Sequence, residues 1–215
     1  MSLMLPFPWY VFSMLRFNSF LLKVRESPRS WRIQQFLHKK NISIRPSNST
    51  LDGQLIQLFK KFEIETCVDV GAHVGSFTQK MFRLGFRGNF ICVEPALTAS
   101  RELRRRFEKL ENVEIVEIAL GDNNSVSQLH NPGSPFASIL EASELGMAYM
   151  ENPDFDKQSI KVTTLDDFLG KRGESVELKR TFLKIDVQGF EMKVLLGGNN
   201  SLLDIPMVMV ECVLN

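Results

Sequence analysis

The sequence predicts an α/β fold, an open parallel sheet with crossover helices, on three observations. From residue 66 onward short β-branched runs alternate with amphipathic stretches, the pattern of strand–helix–strand units. Acidic residues and glycines stand at the ends of the early runs, where such sheets carry their ligand-binding loops. A hydrophobic share of 44% and a charged share of 24% over 215 residues suit one ordinary domain with an appendage. They exclude a wholly disordered, collagen-like or multi-span membrane chain.

The appendage comes first. Residues 1–50 hold eight Lys/Arg against Glu26 alone, while the whole chain has a net charge of only +1. That near-neutral total gives no polyelectrolyte attraction, so no nucleic-acid partner is expected. The local excess points to contact with an anionic surface. Pro6 and Pro8 oppose helix before Trp9. From there Ser13, Arg16, Ser19 and Lys23 fall on one helical face, so residues 9–23 read as an interfacial helix with peripheral membrane contact, or as a cap on the core. The boundaries expected are an arm and linker over 1–48 and a main domain over 49–215.

The main domain opens with a helix in which Leu51, Leu55, Leu58 and Phe62 share a face. Strands follow at 66–70, 89–93 and 113–120, with helices at 76–84 and 99–110 between them. Arg101, Arg104, Arg105 and Arg106 alternate with Glu102 and Glu108 and read as a solvated face. The interval 122–181 is too long for a plain connection. It offers short strands at 126–129 and 160–162, a turn-rich flap at 131–135, and a helix turn at 165–169 capped by Thr163 or Thr164. Strands at 182–187 and 207–213 close the series, joined by a helix through 191–196 that stops at Gly197-Gly198. Cys67, Cys92 and Cys212 each lie in an apolar run and read as core residues of a chain kept in a reducing, cytoplasmic compartment.

The residues after the strands carry the chemistry. Asp69-Val70-Gly71-Ala72-His73-Val74-Gly75 has two glycines, which let main-chain amides approach a ligand. Their spacing differs from the Gly-x-Gly-x-x-Gly of a dinucleotide-binding turn. Glu94, followed by Pro95, ends the second strand, where a carboxylate can accept from both hydroxyls of a ribose. The third strand ends at Gly121-Asp122. Asp69, Glu94 and Asp122 would repel a phosphate, so the expected ligand is a nucleoside without one.

These blocks, with Thr164-Leu165-Asp166-Asp167-Phe168 and the run Lys184-Ile185-Asp186-Val187-Gln188-Gly189-Phe190-Glu191, resemble the FkbM-type methyltransferases over residues 50–215. The last run is the most specific. The resemblance implies a Rossmann-like class I methyltransferase sheet and transfer of a methyl group from S-adenosylmethionine. The implied acceptor is a small molecule or glycan: a hydroxyl of a sugar, glycolipid or polyketide-like compound. Asp69, Gly71, His73, Gly75, Glu94, Pro95 and Asp122 are the expected cofactor contacts. Asp186 is the expected base or the holder of the methionine ammonium, with Glu191 orienting the acceptor. His73 replaces a more usual Asn and Gln188 a more usual Glu. The sequence ends after the fifth core strand, which reads as a truncated sheet with 207–213 as an exposed edge, and the interval 122–181 reads as a β-rich insertion between strands three and four. Two alternatives follow from these features. One is a divalent-metal O-methyltransferase, since Asp186 and Glu211 end neighbouring strands; the other is an inactive, truncated binding protein.

Overall fold

The structure, a computed structural model, describes residues 11–12, 51–130, 139 and 157–211. In chain order it contains β1 (Val11–Phe12), α1 (Leu51–Lys61), β2 (Thr66–Val70), α2 (Ser76–Arg83), β3 (Asn89–Val93), α3 (Leu97–Phe107) and β4 (Val113–Val116). There follow β5 (Ala119–Gly121), β6 (Ser125–His130), β7 (Lys157–Thr164), α4 (Leu165–Gly170), β8 (Thr181–Ile185), α5 (Glu191–Leu196), α6 (Ser201–Asp204) and β9 (Met207–Val210).

One sheet has the order β1-β9-β8-β2-β3-β4, with every pair parallel. Parallel strands covered on both faces read as nearly unbroken apolar runs, and β2 and β8 are buried at every position. Alternate side chains feed two cores. Val68, Val70, Ile91, Leu183 and Ile185 face α4, with Leu165 and Phe168. Cys67, Phe90, Cys92 and Phe182 face Phe59 of α1, Met81 of α2 and Leu103 of α3. Burying a side chain of this kind contributes roughly 1.5–3 kcal/mol. Cys67 and Cys92 are fully buried; Cys212 lies outside the described residues.

A second sheet, β5-β7-β6, joins β5 and β7 in parallel and β6 and β7 in antiparallel. Here the structure corrects the sequence reading of one strand over 113–120. Glu117 accepts from Ser100 Oγ at 3.0 Å and from Arg104 Nε at 3.1 Å, anchoring the chain to α3 where it leaves β4 and enters the other sheet. Asp122 therefore follows the small sheet. The strand expected at 160–162 runs over the whole of β7, because its apolar Ile160 and Val162 close a third core with Leu129 and Ala119. Thr164 supplies the cap of α4, its hydroxyl accepting from Asp167 N at 3.1 Å.

β9 is not an edge: β1 pairs with it, Val11 opposite Val208 and Phe12 opposite Met209. The main chain of residues 11–12 thus pairs with a valine-rich strand, where the sequence reading had placed a helix. The remainder of that helix and the flap at 131–135 lie outside the described residues. Among the described residues no helix is long and apolar enough to cross a membrane.

Candidate functional site

A cavity of about 470 Å³ opens at the carboxyl ends of β2, β3, β8 and β9, within the ~300–1,000 Å³ of small-molecule sites. Gly71 and His73 line it after β2, Glu94 and Pro95 after β3, Asp186 and Gln188 after β8, and Glu211 after β9. An apolar wall continues it, formed by Leu55 and Leu58 of α1 with Phe77, Phe182 and Met209.

The β2 loop is shaped by close approach. Gly71 has φ +76°, and a Cβ there would collide with the main-chain oxygen of Asp186, so only glycine lets the loops after β2 and β8 touch. Gly75, at φ +80° before α2, would drive a Cβ into Phe107 and Leu103; it shapes the loop from behind and does not line the cavity. His73 adopts φ +48°, a left-handed conformation that His and Asn tolerate better than most residues. Its backbone N–H donates to Glu94 Oε2 at 2.8 Å, and burial holds its imidazole below the ordinary range. Glu94, itself buried, accepts from Ala96 N on its other oxygen at 2.9 Å. Burial pushes its carboxyl above the ordinary range despite these two bonds. One bond per oxygen leaves each with capacity for a second donor.

Gln158 of β7 buttresses this corner: its Nε2 donates to Pro95 O at 2.8 Å and its Oε1 accepts from Leu97 N at 3.1 Å. The sequence offered no sign of that tie, which joins residues 61 and 63 positions apart.

Asp69 lies beneath the cavity floor and does not line it. It is fully buried, its Oδ1 accepting from Lys184 Nζ at 3.0 Å and its Oδ2 from Thr78 Oγ1 at 3.3 Å. Lys184 also donates to Asp186 Oδ2 at 3.2 Å and sits over the Phe77 ring at 5.5 Å. Burial alone would lower the lysine, but Asp69 and Asp186 outweigh it and hold the ammonium above the usual lysine range. Sequence reading missed Lys184 as a site residue. Its signal was present: a cation in a wholly buried strand requires a counter-charge, and Asp69 is its register partner across β2 and β8.

Gln188, at φ +54°, donates to Asp186 Oδ1 at 3.0 Å, so both oxygens of Asp186 are engaged. Glu191 turns back to its own loop, accepting from Val187 N at 3.1 Å and Gly189 N at 3.0 Å, and does not line the cavity. Asp122 accepts from Lys193 Nζ of α5 at 2.6 Å and also stands off the cavity wall. Glu211 stands at the tip of β9, where its main-chain N–H donates to Ile185 O at 3.0 Å. The Asp186 charge first, then burial, pushes Glu211 above the ordinary glutamate range. Lys184 supplies the cation between β2 and β8, and among the described residues no group of three or more His, Cys, Asp and Glu side chains is arranged to hold a metal ion.

The methyltransferase FkbM domain matches residues 69–213. The 2-O-methyltransferase NoeI of Sinorhizobium fredii is 25% identical over 181 residues, covering 79% of this chain and 72% of that protein. With a parallel sheet whose glycine loop, buried glutamate and Lys-Ile-Asp run meet at one cavity, the chain belongs to the FkbM methyltransferase family.

Proposed function

We propose that the protein is an S-adenosylmethionine-dependent O-methyltransferase acting on a hydroxyl of a small molecule or glycan, with residues 49–215 as its catalytic unit. The observation that carries this reading is Glu94. It is a buried carboxylate on the cavity wall, held by two main-chain N–H groups, with a lone pair left on each oxygen. That donor set fits the two hydroxyls of a ribose. The rest of the wall fits the remainder of the cofactor: a glycine-shaped loop for close approach, an apolar surface, and the carboxylates of Asp186 and Glu211 toward a cationic end.

The cofactor, when bound, supplies a methyl group on a sulfonium. A hydroxyl that receives it must lose a proton, so the chain has to provide alignment and a proton acceptor. Asp186, anchored by Lys184 and Gln188, is placed to hold an ammonium group. Glu191 closes the 187–189 loop and keeps Asp186 in position. Acting on oxygen extends to this chain what the name of NoeI says of that protein.

Cell extract incubated with methyl-labelled S-adenosylmethionine and the purified protein tests the proposal. The expected product carries label in a base-stable ether on a sugar or related hydroxyl. Label confined to nitrogen, or no label above a boiled control, contradicts it.

A further inference from the structure

Two apolar surfaces flank the carboxylates of this cavity. One adjoins Glu94: Ile118, Leu129 and Ile139 line the cavity there, and Gln158, opposite Leu129 across β6 and β7, bonds to Pro95 O. Lying beside the carboxylate proposed to hold the ribose, it serves the base of the same nucleoside. The other lies past Asp186 on the β8 and β9 side, between the sheet face and α1. Strand alternation puts Phe182, Lys184 and Asp186 on one face, with Met207, Met209 and Glu211 beside them; Phe182 is opposite Met207 and Lys184 opposite Met209. Leu55, Leu58 and Phe62 line the cavity from α1 and the turn after it, a stripe about 10 Å long. Phe59 and Phe77 brace Phe182, with ring centroids 4.7 and 6.0 Å away. The polar groups of this end stand at its rim, where Asp52 at the start of α1 accepts from Lys80 of α2 at 3.2 Å, near Gln54. His73 belongs to the Glu94 side, tied there by its main-chain N–H.

We propose that this second surface binds an aliphatic chain, and that the acceptor is an amphiphile whose hydroxyl meets the cofactor while its tail lies between α1 and the face of β8 and β9. This rests on the methyltransferase reading above. Protein interiors are packed with few gaps, so an apolar space continuous with the reaction cavity is volume for a ligand, and filling it takes apolar side chains out of water. The cofactor does not need it: a nucleoside has one apolar ring system, which the Glu94 side takes, and the far end of S-adenosylmethionine is charged. A bare sugar does not suit it either, because its hydroxyls would lose water against leucine, phenylalanine and methionine side chains that offer no hydrogen bond in return. The pliable side chains of Met207 and Met209 along a narrow stripe suit a flexible unbranched chain. The charge of the sequence agrees. Eight Lys/Arg against Glu26 alone in residues 1–50 favour approach to an anionic lipid surface, where such an acceptor resides.

The test titrates the full chain, saturated with S-adenosylhomocysteine, with methyl, butyl, hexyl and octyl β-glucosides below their micelle concentrations. Affinity should rise about two- to fourfold for each added methylene. Leu58→Gln on the helix wall and Met209→Gln on the sheet wall should each flatten that rise. Both should still bind S-adenosylhomocysteine within about threefold of wild type, which shows that they fold. In extract labelling, the methylated product should partition into butanol. A series flat in chain length overturns the proposal and leaves the surface to the chain's own residues 13–48, and a dimer that Leu58→Gln dissociates overturns it in favour of a second copy. A rise that both variants keep, or label confined to water-soluble product, overturns it as well. A wild-type chain that fails to bind S-adenosylhomocysteine overturns the methyltransferase reading and the proposal with it, whereas a flat series from a chain that binds it overturns the proposal alone.

Discussion

Lys184 and Asp69 are paired inside the sheet, one residue from the carboxyl ends of two strands with no exposed position. Removing one partner strands the other charges without solvent. Lys184→Met should therefore destabilise the fold by roughly 3–5 kcal/mol in denaturant titration, whereas exchanging the exposed Arg105 that pairs with Glu102 should change little. Glu94 gives a pH signature. Its folded carboxyl sits above its unfolded value because of burial, so its contribution to stability is complete below the usual glutamate range and is lost as pH rises through the folded value. Ligand binding runs in the opposite sense, since two hydroxyl donors favour the carboxylate. Affinity for S-adenosylhomocysteine should fall as pH drops through that raised value, and Glu94→Gln should bind weakly with no such step; an identical pH profile in the variant would exclude Glu94 from the site. The place of Glu94 on the cavity wall was legible in the sequence, because it ends a buried strand before Pro95 and beside other acidic and glycine strand tips. The withdrawal of Asp69 beneath the cavity was not, because it depends on which face of β2 meets Lys184, and strand alternation alone does not say which face bears the ligand.

At the scale of elements, the tight contact between the β2 and β8 loops organises the site. Gly71→Ala should cost well over ~1 kcal/mol, because Cβ meets main chain at a positive φ and neither can move cheaply. A melting temperature equal to wild type would show that the loops separate without penalty. Gln158→Ala should leave the main sheet intact but loosen the Glu94 corner. The expected loss is about 1–3 kcal/mol of stability for two hydrogen bonds, with weaker cofactor-product binding in the same titration. The apolar runs of β2, β3, β8 and β9 were readable, since parallel strands need covering on both faces. The division of 113–120 was not: Ile115 and Val116 run on to Ile118 and Ala119 in composition, and the break depends on Ser100 and Arg104 reaching Glu117 from α3. Likewise the partner of β9 comes from residues 11–12, a distance in sequence that no local pattern reports.

For the whole molecule, the order of the sheet places the tips of β2, β3, β8 and β9 around one cavity, and the residues that make it specific come from loops more than a hundred positions apart. Membership of the FkbM family fits that arrangement, and the proposed function stands on Glu94 holding a nucleoside cofactor in the cavity. Calorimetric titration of S-adenosylhomocysteine into the full chain and into Glu94→Ala tests it most directly. Saturable one-to-one binding is expected of the wild type, weakened by roughly 2–4 kcal/mol, about 30- to 700-fold, in the variant. Equal affinity in the two proteins, or no heat from the wild type at all, would contradict it.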